Sequence, residues 1–288
     1  MSESKSFLIV DMGYACFYRF YATKTWYRFS HPDEMKENPK PEWINILDFV
    51  EKYSKMFLEG IDNIRKVCNV PWSNVILAQD CRRTKIWRVE LYPEYKGTRE
   101  ASHIKSGFDG HDIFQYTCKT LIPKWIEKYG LKCLRYPKAE ADDIVACLSK
   151  HLRKSFDANI TILANDTDYL QLVNEKVRLL DMKGKERTSA NKQHDLWKKI
   201  LIGDTSDNIP GCYINQSNIY SDRKNVRFIR CTPKVINLML SDWDIWYSRL
   251  IETPDIIRDR QHLLNQKLID FENIPQDMYQ GIVELLGE

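Results

Sequence analysis

At 288 residues the chain fits one large domain or two smaller ones, and a 43% hydrophobic content supplies a real core. The formal net charge is only +3, so the bulk balance names no partner and the local distribution of charge matters more. No apolar run approaches the ~20 residues of a membrane span, the first apolar run is too short for a secretory signal, and eight cysteines without a Cys-x-x-Cys pair suit a reducing compartment. A soluble, cytoplasmic protein is expected.

Residues 6 to 10, Ser6 followed by FLIV, form a continuous apolar run that stops at Asp11. That is the pattern of a buried parallel strand with a carboxylate at its carboxyl end. Thr23 to Pro41 is polar, aromatic and proline-containing, and is expected to be a loop. Residues 42 to 68 carry helical apolar spacing, and NVILAQ at 74 to 79 reads as a second strand, again followed by an acid, Asp80. A helix is expected over about 111 to 129, and LKCLRYP at 131 to 137 as a strand. AEADDIVACLSKHLRK from 139 opens a further helix, NITILAN at 159 to 165 a strand ahead of Asp166 and Asp168, and VRLLDM at 177 to 182 another strand. This alternation predicts an α/β fold, a parallel sheet flanked by helices. Ligands in such sheets gather at the carboxyl ends of the strands. Past about 190 the strand signals fade and the chain reads as mainly helical, with one irregular insertion at 211 to 231. The expected division is therefore an α/β domain over 1–190 and a helical domain over 191–288.

Acids recur where strands stop or helices start: Asp11, Asp80, the cluster Glu140/Asp142/Asp143, and the pairs Asp166/Asp168 and Asp204/Asp207. Taken singly, each has a plain explanation as a helix cap or a turn. Gathered in one place, they need cations, because like charges at short range cost several kcal/mol unless protonated or paired. Carboxylates without histidine or cysteine suit hard divalent ions, above all magnesium. Two such ions are what phosphoryl transfer at a phosphodiester uses. Cations and aromatics interleave in RRTKIWRVELYPEYKGTR, which contains Arg88, Tyr95, Lys96 and Arg99. A second basic run holds Arg223, Lys224, Arg227, Arg230 and Lys234. Such residues neutralise phosphates and stack on bases, although a solvated face is the plainer reading. The histidines show no metal-ligand spacing, and neither a glycine-rich phosphate loop nor a G-x-S-x-G elbow occurs.

ELYPEYKGTR, AEADDIVACL, LANDTDYLQLV and LIGDTSDNIPG, in that order, closely resemble the motifs of the 5′-nuclease family, which spans phage 5′→3′ exonucleases, polymerase I exonuclease domains and flap endonucleases. The resemblance runs over roughly residues 6 to 286. It implies a PIN-like sheet domain followed by a mainly helical domain with a modified helix–turn–helix DNA-binding element. It also implies a magnesium-dependent 5′→3′ exonuclease and flap endonuclease with RNase H activity. Such an enzyme removes RNA primers and adjacent DNA from lagging-strand fragments in a phage replication role, within the host cytoplasm.

Residue by residue, the resemblance assigns Asp11, Asp80, Glu140 and Asp142 to a first magnesium ion, and Asp166, Asp168, Asp204 and Asp207 to a second. Asp143 joins the metal set, and manganese is expected to substitute. Lys96 and Arg99 match catalytic cations at the scissile phosphate. Tyr95 matches a base-stacking aromatic, and Arg88, with the 223–234 cations, a nucleic-acid contact. Expected partners are 5′-flap, nicked or forked DNA, RNA–DNA hybrid and a single-stranded-DNA-binding protein of the replisome, with no membrane, for a monomeric chain. One departure stands out. The glycine-rich turn that many relatives carry after the last acidic motif is absent, and a longer basic stretch replaces it. Two other readings compete: a PIN-type ribonuclease acting on single strands, and a non-catalytic flap- or duplex-binding replication protein.

Overall fold

The computed structural model describes residues 5–82, 85–99, 108–215 and 227–287. Arg223, Lys224 and part of the basic stretch after Arg82 therefore lie outside the described residues. The chain forms two compact units. One comprises Met1–Ile86, Ile104–Thr188 and Gln276–Glu288, the other Trp87–His103 and Ser189–Pro275. They differ from a single cut at 190 in two places. The terminal helix Gln276–Glu284 buries Met278 and Ile282 and packs on the helix Ala141–Phe156 of the first unit. The short helix Trp87–Leu91 is held in the second unit by Arg88, whose Nε donates to the Leu268 carbonyl at 2.8 Å.

The first unit is built on six strands: β1 (Ser6–Asp11), β2 (Val75–Ala78), β3 (Lys132–Leu134), β4 (Asn159–Leu163), β5 (Val177–Leu180) and β6 (Glu186–Arg187). Their order is β3-β2-β1-β4-β5-β6, parallel throughout except for β6. The central strands are apolar on both faces because helices cover both, and Leu8, Ile9, Val10, Leu77, Ile162 and Leu163 are fully buried. Strand register sets where the acids emerge. Asp11 stands opposite Ala78, and Val10 opposite Leu163, so β1, β2 and β4 end level with one another. The acids after them lie at one edge of the sheet. The expected α/β architecture is thus the observed one.

Helix boundaries differ from expectation at one place. Thr23–Pro41 is not a loop: the helix Met12–Ser30 runs through its first part, and a short helix, Pro32–Glu37, comes after it. Phe20, Thr23 and Tyr27 fall on one helical face and are buried as a core stripe, whereas Phe29 is exposed. The helical run from His111 to Tyr129 agrees with expectation, but it contains a wider turn over Thr117–Leu121. There the buried Thr117 hydroxyl meets that of Tyr53 at 2.8 Å.

The second unit packs the helices Lys192–Ile202, Pro233–Ser241, Trp243–Glu252 and Gln261–Ile269. Strands do not vanish here, contrary to the sequence reading. The insertion carries an antiparallel pair, β7 (Tyr213–Asn215) and β8 (Phe228–Arg230), with Ile214 fully buried. This pair stands in chain order between the helices Lys192–Ile202 and Pro233–Ser241. Runs of three residues are too short to show period-two alternation in the sequence. No described helix is long and apolar enough to cross a membrane.

Candidate metal centre

Asp11 ends β1 and starts the next helix. Its Oδ1 accepts the Tyr14 N–H at 3.0 Å as an N-cap, and its Oδ2 accepts the Tyr169 hydroxyl at 2.8 Å. Asp80, two residues past β2, accepts the Ala141 N–H at 2.8 Å, which ties it to the start of the helix Ala141–Phe156. That helix opens with a capping box: the Glu140 N–H donates to Asp143 Oδ2 at 2.9 Å and the Glu140 side chain caps in return. The cap reading therefore holds for these acids, and it leaves carboxylate oxygens of the same residues close together. Glu140, Asp142 and Asp143 each offer an oxygen within 4.8 Å of the others, with Glu140 and Asp143 buried and Asp142 half-buried. Asp166, past β4, caps the turn Thr167–Gln171 by accepting the Asp168 N–H at 3.0 Å.

The electrostatics show that these groups share one space. Burial first, then the charges of Asp80 and Asp166, push the Asp11 carboxyl up to about 6 against the pull of its two hydrogen bonds. Burial and the charges of Asp11, Asp142 and Asp166 hold the Tyr169 hydroxyl protonated, so it stays a donor. Burial and the charges of Glu140 and Asp80 raise the Cys81 thiol, which disfavours a thiolate ligand. The donor set is then oxygen only, the chemistry of a hard divalent cation. Space is kept by Gly13: a Cβ there would lie 3.3 Å from Asp11 Oδ1 and 3.4 Å from Asp80 Oδ2. Sequence reasoning alone does not pick out Tyr169 or Gly13. Tyr169 directly follows Asp168 in the same turn, and that adjacency is the available signal.

Asp204 and Asp207 belong to the second unit, in a loop after the helix Lys192–Ile202. Asp204 pairs with Lys199 at 2.8 Å and accepts the Ser206 N–H and hydroxyl at 2.8 and 2.7 Å. Burial works against its charge, but Lys199 and Ser206 hold the carboxyl below its ordinary range. Asp207 meets Arg99 at 2.6 Å, Lys96 Nζ at 3.7 Å and the Tyr95 hydroxyl at 3.2 Å. Lys96 adopts a left-handed φ of 53°, and its N–H donates to the Asp207 carbonyl at 2.8 Å. Three groups expected to meet nucleic acid are interior ones here, Lys96 among them at 7% exposed. Tyr95 is 3% exposed and Arg88 2%, with the guanidinium lying over the Trp87 ring at 4.7 Å. Their geometry packs the second unit rather than presenting a stacking face or a surface cation. Of the second basic run, Arg227, Arg230 and Lys234 are exposed.

The family model for the 5′-3′ exonuclease N-terminal resolvase-like domain matches residues 6–200, and the chain belongs to that family. Among individual proteins, a 5′-3′ exonuclease of Buchnera aphidicola (strain APS) is 30% identical over 196 residues, 61% of this chain and 64% of that one. Ribonuclease H of Enterobacteria phage T4 is 24% identical over 226 residues, 77% of this chain and 72% of that one. The chain spans 64% and 66% of the lengths of the two Buchnera exonucleases it matches. In fold it resembles the T5 D15 protein co-crystallized with metal ions, with a TM-score of 0.60 at 16% identity over 98% of each chain. It also resembles the bacteriophage T5 flap endonuclease in a pseudo-enzyme–product complex with DNA and metal ions, with a TM-score of 0.56 at 18% identity over 99% of this chain and 100% of that one. The family expected from the four motifs is the one found.

Proposed function

We propose that this chain is a magnesium-dependent 5′-nuclease, a 5′→3′ exonuclease and flap endonuclease with RNase H activity. It acts on 5′-flap, nicked or forked DNA and on RNA–DNA hybrid, and clears RNA primers with adjacent DNA from lagging-strand fragments. The observation that carries the reading is the gathering of Glu140, Asp142 and Asp143 within 4.8 Å at the strand-end edge that also bears Asp11, Asp80 and Asp166. Family membership and the T5 and T4 relatives point the same way.

Asp11, Asp80, Glu140, Asp142, Asp143, Asp166 and Asp168 would hold magnesium, with manganese an acceptable substitute. Asp204 and Asp207 keep the ligand role that the family motif implies. Bound magnesium supplies a water of lowered pKa and positive charge for the leaving 3′ oxygen. The chain's own groups do the rest. Tyr14 and Tyr169 fix the orientation of Asp11 through their hydrogen bonds. Lys96 and Arg99, which neutralise Asp207, would also offset charge developing on the phosphoryl group. Arg227, Arg230 and Lys234 would meet phosphates of the duplex.

A 5′-labelled flap, a nicked RNA–DNA hybrid and a single-stranded RNA, each incubated with and without magnesium, test the reading. Metal-dependent release of short 5′ products from the first two is expected, and Asp166→Asn should abolish it while substrate binding persists. Cutting confined to the single-stranded RNA would favour a ribonuclease, and binding without cutting a non-catalytic protein. Lys96→Ala should slow turnover by roughly 10²–10³ as a lost electrostatic donor; an unchanged rate would remove Lys96 from the catalytic set.

A further inference from the structure

Asn265, on the helix Gln261–Ile269, is 0% exposed. A fully buried amide is costly unless its hydrogen bonds are made, and here they are. A side-chain amide has two N–H donors. The two acceptors they reach flank the loop that carries Asp204 and Asp207: the Ile200 carbonyl at 2.8 Å and the Pro210 carbonyl at 2.8 Å. Cys212 Sγ lies 3.8 Å from the same nitrogen. Gln261 Nε2 donates to Asn265 Oδ1 at 2.9 Å, which turns the amide so that its nitrogen faces the loop.

The Ile200 carbonyl is one of those a helix leaves without an internal partner at its last turn. Between the two anchored carbonyls the chain closes tightly. Gly203 ends the helix at φ +82°, and a Cβ there would lie 2.6 Å from the Pro210 carbonyl carbon. Asp204 and Ile209 exchange backbone hydrogen bonds at 3.0 and 2.7 Å, and the Cys212 N–H returns to the Leu201 carbonyl at 2.8 Å. Asp204 and Asp207 therefore hang from a loop whose two ends are joined through one buried amide.

We propose that Asn265 is a positioning residue, which sets the placement of Asp204 and Asp207 by clamping both ends of their loop. The inference rests on the reading of those two acids as metal ligands only for its catalytic consequence. Asn265→Leu keeps the size and removes both donors. Hydrogen exchange of the full chain should then show the Asp204, Ile209 and Cys212 amides exchanging about tenfold faster or more, while β1 and β4 keep their protection. On a 5′-flap, kcat should fall by about tenfold to hundredfold with KM little changed, and the magnesium concentration for half-maximal rate should rise. Asn265→Ser, which keeps one donor, should fall between; it is judged on the same exchange criterion if the leucine variant does not fold. Unchanged exchange in the loop would overturn the proposal, whereas faster exchange with an intact kcat would uphold the clamp and remove Asp204 and Asp207 from the ligand set. A wild-type chain that cuts nothing would sink the nuclease reading and leave the exchange result to judge Asn265.

Discussion

Asp11 carries three duties: it caps a helix, accepts the Tyr169 hydroxyl, and sits among other carboxylates. The third has a thermodynamic sign. Its carboxyl is raised from 3.8 to about 6 in the folded chain, so the folded state holds a proton that the unfolded chain has already released. Stability from this group is therefore intact below pH 3.8, falls as pH rises, and levels off above about 6. For the metal-free chain the loss comes to roughly 3 kcal/mol. A divalent cation should reverse it. Magnesium is expected to raise the melting temperature at pH 7 and to do little at pH 4. Equal metal effects at both values would show that Asp11 is not part of the cation site. At this scale the acids are legible in the sequence, because a carboxylate after an apolar strand stands out. Tyr169 is not, since a tyrosine following a turn looks like ordinary core.

The helix start at Glu140 illustrates how one element serves two ends. Asp143 is fully buried and completes the capping box, whereas Asp142 is half-buried and its charge reaches Tyr169. Asp143→Ala should thus cost about 1–2 kcal/mol in urea unfolding of the metal-free chain, as a lost cap does. Asp142→Ala should cost nothing measurable there, or relieve repulsion, yet weaken cleavage more than it weakens the fold. Equal destabilisation by both variants would contradict the division of labour. Strands β1, β2 and β4 are legible because burial on both faces demands near-continuous apolar runs, and β5 because Val177, Leu179 and Leu180 are buried around the exposed Arg178. The helix through Thr23–Ser30 is not, because its core stripe is made of aromatics and a threonine that read as polar loop. The pair β7–β8 is hidden by its brevity.

For the molecule as a whole, membership of the 5′-3′ exonuclease family rests on a match over residues 6–200, which no single element could supply. The two compact units are less legible. Contact, not chain order, assigns Trp87–His103 and Gln276–Glu288, and Arg88 shows why: a cation in an aromatic run suggests a nucleic-acid contact, while its carbonyl partner Leu268 lies far along the chain. Exposed Arg227 and Arg230 remain the groups proposed to meet phosphate. Replacing either with alanine should reduce the slope of log binding constant against log salt by about 0.9 per lost contact; an unaltered slope would place the duplex elsewhere. The first unit's carboxylates are proposed to bind divalent metal. Isothermal calorimetry of the metal-free chain with magnesium at pH 7 tests this most directly. Saturable binding is predicted, abolished or strongly weakened in Asp142→Asn and in Asp11→Asn. Binding that survives both substitutions, or none at millimolar magnesium, would mean that these carboxylates do not form the metal site.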